Sequence, residues 1–259
     1  MDNPATPFTF VQREEVDVSR QSGAGVKIAV VDSGVDNTHP EIGGRIRGGA
    51  VVERWGEYMV VGDYDSKDLF GHGTAVASII LGVAPGAEVH SVRVLGTNLS
   101  SKSEIILHGL RWALDQGFQV INCSFGTTSL MYLEQYKEIV DLAYCRNVVL
   151  VAACNNNDFN TPELPSGFSS VVSVDFFRGQ LDDPLRFFLR PGHLVEFVAR
   201  GDNLRLPWLN QKHITTKGSS FAAPHMTGVI CRLMEKYTGL RPFEVKTLLY
   251  HMAEPPPAK

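Results

Sequence analysis

Residues 218–228 read Gly218-Ser219-Ser220-Phe221-Ala222-Ala223-Pro224-His225-Met226-Thr227-Gly228, a pattern that predicts a tight turn leading into a helix. Gly218 permits the turn because glycine has no Cβ. The apolar spacing over 221–234 is helical, with Pro224 expected in the first turn. A serine at a helix N-terminus lies beside free N–H groups that stabilise negative charge. Ser220 is therefore a candidate nucleophile, but serine is also a common helix cap, and this stretch alone favours the cap.

Strand and helix patterns alternate along the rest of the chain, which predicts an α/β fold with a mostly parallel sheet. The first strand, 26–31, is a β-branched run that ends at Asp32-Ser33-Gly34. We expect further strands at 89–95, 120–125, 148–154, 170–174 and 193–199, helices at 74–81, 103–116, 130–146, 221–237 and 242–252, a hairpin at 51–61, and a loop or hairpin at 207–216.

Two polar residues lie where predicted elements begin or end. Asp32 follows the first strand, at the edge where α/β sheets bind ligands. Asp-Ser-Gly is also ordinary turn sequence, and this stretch alone favours the turn. His72 begins a helix between Gly71 and Gly73, and glycines on both sides indicate close approach of backbone or ligand. Such a histidine could instead be a cap or a core residue. Together with Ser220, the two supply the carboxylate, base and nucleophile of a hydrolytic triad, in a known chain order.

Three motifs in this order resemble those of the subtilisin-like serine proteases, the subtilases. They are Val30-Val31-Asp32-Ser33-Gly34-Val35-Asp36, Gly71-His72-Gly73-Thr74-Ala75-Val76-Ala77 and Gly218-Ser219-Ser220-Phe221-Ala222-Ala223-Pro224-His225, with Ser219 where threonine is usual. The resemblance covers roughly residues 24–250. It implies a subtilisin-like three-layer fold, with a mostly parallel sheet and helices on both faces. It also implies that Asp32, His72 and Ser220 are catalytic and that His225 is structural.

The resemblance further implies an asparagine that stabilises the oxyanion. The family frame Ala-Ala-x-Gly-Asn corresponds here to Ala152-Ala153-Cys154-Asn155-Asn156. Asn156 is then the donor, and Asn155 occupies the glycine position, where we expect a positive φ that asparagine tolerates. Asn155 remains a rival for the donor role.

Substrate binding in the family adds the peptide as a strand between two enzyme segments. The corresponding segments here are Thr97, Asn98, Leu99 and Ser100, and Ser124, Phe125 and Gly126. The resemblance places the pocket for the substrate residue before the cleaved bond between Phe125–Gly126 and Ala153–Asn155, which includes Cys154. A third wall would come from 161–164. Glu163 in that wall would favour lysine or arginine, but a rim glutamate facing water is the favoured alternative.

Composition limits the other functions. The chain has 259 residues and a formal net charge of −4 with both signs interspersed, which gives no indication of a polyanionic partner. No apolar run is long enough to span a membrane, and no secretion signal is evident.

The four cysteines lack metal or redox spacing, and three lie in apolar segments, as buried hydrophobes do. We expect a solvated acidic loop at Asp63, Asp65 and Asp68, because the spacing does not complete a calcium loop.

We therefore expect an N-terminal arm at 1–25, a catalytic domain at 26–252 and a tail at 253–259. The expected activity is a serine endopeptidase that acts on peptides or proteins, without metal or other cofactor and without nucleic-acid or membrane partners. The segment before the first strand is too short for a folding prodomain, which fits an intracellular enzyme that folds unaided or a chain from which a pro-region has been removed. Reduced cysteines favour a cytoplasmic location, and a secreted form whose leader has been removed is the alternative. The alternatives are a dedicated precursor-processing protease or transpeptidase of the same fold, and a peptide-binding pseudoprotease.

Overall fold

A computed structural model describes residues 16–255, in which nine strands form one sheet. The sheet order is β3-β2-β4-β1-β5-β6-β7-β9-β8, and only the edge strands β3 and β8 pair antiparallel to their neighbours. The strands are β1 (Lys27–Asp32), β2 (Gly49–Trp55), β3 (Tyr58–Asp63), β4 (Glu88–Arg93), β5 (Val120–Cys123), β6 (Val149–Ala153), β7 (Val172–Phe176), β8 (Phe187–Leu189) and β9 (Phe197–Ala199). A separate hairpin consists of β10 (Leu204–Trp208) and β11 (Lys212–Thr216).

Helices cover both faces of the sheet. They are α1 (His72–Val83), α2 (Ser103–Asp115), α3 (Leu133–Cys145), α4 (Ser219–Lys236) and α5 (Pro242–Met252), with short 3₁₀ turns at Leu130–Tyr132 and Leu209–Gln211. On β1, Ile28 and Val30 belong to the core that contains residues of α1, α4 and α5, whereas Ala29 and Val31 belong to the core that contains residues of α2 and α3. Alternate strand residues point to opposite faces, so β1 is buried on both sides. The predicted α/β class with helices on both faces is confirmed.

Several predicted boundaries differ from the structure. The 51–61 hairpin exists, and it extends the main sheet as β2 and β3. The three-residue strand β8 was not predicted, because so short an apolar run carries no clear period. The helix expected at 130–146 is divided into a 3₁₀ turn and α3.

The described part of the N-terminal arm packs against the body of the protein. Val16 and Val18 are buried in the core, and the Glu235 carboxylate on α4 accepts backbone hydrogen bonds from 22–24 at 2.5–3.1 Å. At the other end, Ala253 is also buried. The remainder of the predicted arm and tail, 1–15 and 256–259, lies outside the described residues.

Three of the four cysteines, Cys123, Cys154 and Cys231, are buried and free, as predicted, and Cys145 is exposed. None of the helices within residues 16–255 has the length and hydrophobicity that a membrane span requires.

Candidate active site

Asp32 and His72 form a buried pair at the carboxyl ends of the parallel strands. Asp32 is the last residue of β1 and is fully buried, and His72 is the first residue of α1. The Nδ1 atom of His72 lies 2.8 Å from Oδ1 and 3.0 Å from Oδ2 of Asp32. Because a carboxylate only accepts hydrogen bonds, Nδ1 carries the proton and Nε2 retains the lone pair of a neutral imidazole.

The surroundings of His72 favour its protonated form. Burial by itself lowers the pKa of His72, but the charge of Asp32, its hydrogen bond and the charge of Asp68 outweigh burial and raise that pKa above the usual histidine value. The imidazole also packs against the Phe221 ring, with centroids 5.1 Å apart. This arrangement fixes the ring orientation and stabilises an imidazolium.

Asp68 holds the segments that carry Asp32 and His72 together. The prediction of a solvated loop is wrong for this residue, because its side chain is buried. Five hydrogen bonds of 2.6–2.9 Å reach its two oxygens, from Ser33 Oγ, Phe70 N, Gly71 N, Thr74 N and Thr74 Oγ1. The other two acidic residues of the loop behave differently: Asp63 is exposed, and Asp65 pairs with Arg93 at 2.8 Å.

The glycines on either side of His72 allow close packing, as predicted. Gly71 has a φ of 104°, and a Cβ there would lie 2.8 Å from the Trp208 ring. At Gly73, a Cβ would lie 2.0 Å from the backbone oxygen of Gly34. Glycine at 73 therefore lets α1 begin directly against the chain that follows β1, and glycine at 71 leaves room for the Trp208 ring of β10.

Ser220 is the second residue of α4 and lines the same cleft as His72. Pro224 is the sixth residue of this helix, so the expectation that it lies in the first turn is wrong. Its missing N–H would otherwise bond the Ser220 carbonyl. The Ser124 hydroxyl donates to that carbonyl instead, at 2.8 Å. Within the described residues, the Ser220 hydroxyl makes no hydrogen bond and faces the cleft.

Asn156 presents its amide beside Ser220. Its Oδ1 accepts a hydrogen bond from the Ser219 N–H at 2.8 Å, which leaves Nδ2 as the donor group. A Cβ built on Gly218 would lie 3.5 Å from both Asn156 Nδ2 and Ser220 Oγ. The asparagine amide and the serine hydroxyl therefore lie near each other, and both residues line the cleft.

Asn155 has a different role from the one its sequence position suggested. It does not adopt the expected positive φ. Its Oδ1 accepts hydrogen bonds from the N–H groups of Asn157 and Asp158 at 2.9 and 3.2 Å, and its Nδ2 donates to Glu163 Oε1 at 3.2 Å. The expectation failed because this side chain stabilises a turn in ordinary backbone conformations, so no left-handed residue is needed.

A cleft of about 370 Å³ contains most of the predicted site residues. Its lining includes residues predicted from sequence, namely His72, Leu99, Ser124, Phe125, Gly126, Ala153, Cys154, Asn155, Asn156, Glu163 and Ser220. It also includes Leu95, Asn157 and Ser219, which sequence reasoning missed. The sequence offered one indication for Ser219 and Asn157: each lies next to a predicted site residue, Ser220 and Asn156. Asp32 lies behind His72, fully buried.

Three predicted substrate contacts do not line this cleft: Thr97, Asn98 and Ser100. Residues 97–99 form a turn, in which the Leu99 N–H bonds the Gly96 carbonyl and the Gly96 N–H bonds the Ser100 carbonyl, both at 3.0 Å. Ser100 lines a neighbouring cavity instead. These hydrogen bonds fold the chain back on itself over 97–99, so Leu99 is the residue of this predicted segment that lines the cleft.

Comparison with known proteins agrees with this geometry. The sequence model of the subtilase family matches residues 23–258. M-protease of Shouchella clausii (strain KSM-K16) is 34% identical over 227 residues, which are 83% of this chain and 55% of that protein. Subtilisin Savinase of Lederbergia lenta is also 34% identical over 227 residues, which are 83% of this chain and 78% of that protein. This chain thus spans about half the length of some curated relatives and most of the length of others.

A solved structure shows the same architecture. The crystal structure of a cold adapted subtilisin-like serine proteinase superposes with a TM-score of 0.71 at 27% identity, covering 89% of this chain and 82% of that chain. The fold is thus the subtilisin-like α/β fold. The chain belongs to the subtilase family of serine peptidases.

Proposed function

We propose that this protein is a serine endopeptidase that cleaves peptide bonds through an acyl-enzyme. The observation that carries the proposal is the buried pair Asp32–His72, in which Nδ1 of His72 lies 2.8 Å from Oδ1 of Asp32. His72 lines the same cleft as Ser220, which lies at the N-terminus of α4. Family membership supports the same activity.

In the proposed mechanism, Ser220 Oγ attacks the peptide carbonyl carbon while His72 Nε2 takes the hydroxyl proton. Asp32 holds Nδ1–H and stabilises the imidazolium. The tetrahedral oxyanion accepts hydrogen bonds from Asn156 Nδ2 and from the Ser220 backbone N–H. His72 then donates its proton to the leaving amine, which leaves the acyl group on Ser220. Water, deprotonated by His72, then attacks this acyl group, and the carboxylic acid is released as Ser220 takes back its proton.

The first test is the intact mass of the purified protein after treatment with a fluorophosphonate. We expect one covalent adduct on the wild type and none on Ser220→Ala, because only an activated serine reacts at an appreciable rate. A folded wild type that takes no adduct would refute the proposed nucleophile. A digest of casein then distinguishes broad cleavage from restricted processing.

Asn156→Ala tests the proposed oxyanion donor. We expect kcat to fall by about 10²–10³ because one hydrogen bond to the developing charge is lost. Steady-state kinetics on a peptide substrate measures this. Asn155→Ala, one residue away, is the matched comparison and should lose less kcat, since its side chain bonds the 157–158 turn and Glu163. The reverse order would assign the donor to Asn155.

We also propose that the catalytic domain includes the described residues on either side of the predicted boundaries, 16–25 and 253–255. Val16, Val18 and Ala253 are buried in its core. A cytoplasmic location stays a prediction from the sequence, testable by cell fractionation.

A further inference from the structure

Glu163 is half-buried and lines the cleft. Its Oε1 accepts a hydrogen bond from Asn155 Nδ2 at 3.2 Å. Its Oε2 lies against the opposite wall, since a Cβ built on Gly126 would be only 2.7 Å away. The carboxylate therefore connects the two walls of a cavity that also contains Ser220. Glycine at 126 leaves room for the carboxylate, because a Cβ there would overlap Oε2.

Within residues 16–255, no positively charged side chain pairs with this carboxylate. Arg178 and Arg190 both bind the buried Asp175 instead, at 2.9 and 2.7 Å. Partial burial raises the pKa of Glu163, and the hydrogen bond from Asn155 opposes that shift. This carboxylate is partly removed from water and accepts one hydrogen bond from an amide. It can accept further hydrogen bonds, and a bound cation would stabilise its charge.

We propose that Glu163 selects substrates with lysine or arginine at P1, the residue whose carbonyl Ser220 attacks. This rests on the proposed peptidase function. When that carbonyl lies at Ser220, the adjacent side chain is the one that can enter the shared cavity. A long aliphatic stem then passes between the 124–126 and 153–155 walls, and the cationic end pairs with the carboxylate. An uncharged side chain of similar shape, such as citrulline, would leave the partly desolvated Glu163 carboxylate without a cationic partner.

The test compares kcat/KM for two peptides that differ only in arginine or citrulline at P1, a pair of nearly equal shape and different charge. We expect wild type to prefer arginine by about tenfold or more, and Glu163→Gln to lose most of that preference. Glu57→Gln, at an exposed position of the β2–β3 turn, removes the same charge away from the cleft and should keep the wild-type ratio. An unchanged ratio in Glu163→Gln overturns the proposal.

A binding measurement separates this proposal from the peptidase proposal. Fluorescence anisotropy of labelled peptides ending in arginine or citrulline is measured on Ser220→Ala and on Ser220→Ala/Glu163→Gln, so that no catalysis is needed. We expect the arginine peptide to bind more tightly to the first variant only. Equal affinities, or no binding of either peptide, contradict the role of Glu163. Arginine preference in binding, together with a wild type that takes no fluorophosphonate, would retain the role and refute the peptidase.

Discussion

At the scale of single residues, the Asp68 carboxylate connects the two chain segments that carry Asp32 and His72 of the proposed triad. Its Oδ1 accepts from the Ser33 hydroxyl, next to Asp32, and its Oδ2 accepts from Thr74, two residues after His72. Because the group is buried and charged, it also raises the pKa of His72 through space. Asp68 thus positions the proposed base and influences its titration.

Asp68→Asn should therefore change both stability and pH dependence. We expect a loss of about 1–3 kcal/mol in the free energy of unfolding, because an amide NH₂ would face a donor at Thr74. The acid limb of kcat/KM should move to lower pH. His72 must be neutral to accept a proton, and losing a negative neighbour lowers its pKa.

The measurements are urea unfolding and a pH–rate profile. Asp63→Asn, in the same segment but exposed, is the control and should leave both unchanged. A limb that stays in place in a folded Asp68→Asn variant would show that Asp68 has only a structural role.

At the scale of elements, the start of α1 is fixed by its contact with the end of β1. The Gly73 N–H donates to the Ser33 hydroxyl at 3.1 Å, and its Cα approaches the Gly34 carbonyl so closely that a Cβ would overlap it. The position of His72 relative to Asp32 thus depends on a backbone contact that no side chain can replace.

Gly73→Ala should destabilise the protein by more than about 2 kcal/mol and strongly reduce activity, because α1 must move away from β1. Gly82→Ala, in the last turn of the same helix, is the matched control. Its added Cβ would meet nothing within 4 Å, and alanine should stabilise the helix by about 0.5–1 kcal/mol. Denaturant unfolding of both variants checks these signs. Equal effects would contradict the proposed contact.

At the scale of the whole molecule, burial of His225 makes stability depend on pH. Its Nδ1 donates to the Phe221 carbonyl at 2.8 Å. Burial lowers the pKa of His225 to about 4, although this hydrogen bond opposes the shift. A depressed histidine pKa means that the unfolded chain takes up the proton first, so stability is lost as pH falls from about 6.5 towards 4. The loss is at most about 3 kcal/mol.

His225→Gln should lose less stability than the wild type between pH 7 and pH 5. His72 has the opposite sign, since its raised pKa gives stability at low pH that is lost as pH rises. Its contribution cancels when two variants with the same His72 are compared. His108→Gln, at an exposed position of α2, should retain the wild-type pH dependence. Chemical denaturation at each pH measures the difference, and parallel curves for wild type and His225→Gln would disprove it.

Metal removal is the second test at this scale. Within residues 16–255, no group of three or more histidine, cysteine, aspartate or glutamate side chains is placed to hold a metal ion. We expect the same Tm in excess calcium and after chelation, because folding is then not linked to metal binding. A large drop in Tm on chelation would contradict this.

The sequence by itself determined the fold class and the three residues of the proposed triad. Asp32 ends a strand, His72 begins a helix between glycines, and Ser220 follows a glycine turn. Strands and helices follow local periodicity, so the fold class can be recognised from short stretches of sequence. The triad could not be recognised in that way, because the Asp32 and Ser220 stretches, each taken alone, favour a turn or a cap. Three motifs in one chain order, through their resemblance to those of the subtilases, predicted it.

Only the tertiary structure decided the environment of the remaining site residues. Asp68 is buried because it meets Ser33, which is 35 positions away, and Glu163 lines the cleft because it meets Asn155 and Gly126. Whether a carboxylate lies in water or in a cavity depends on which distant segments pack around it. Composition and periodicity do not contain that information. They show that a carboxylate is present, but not whether the folded chain removes it from water.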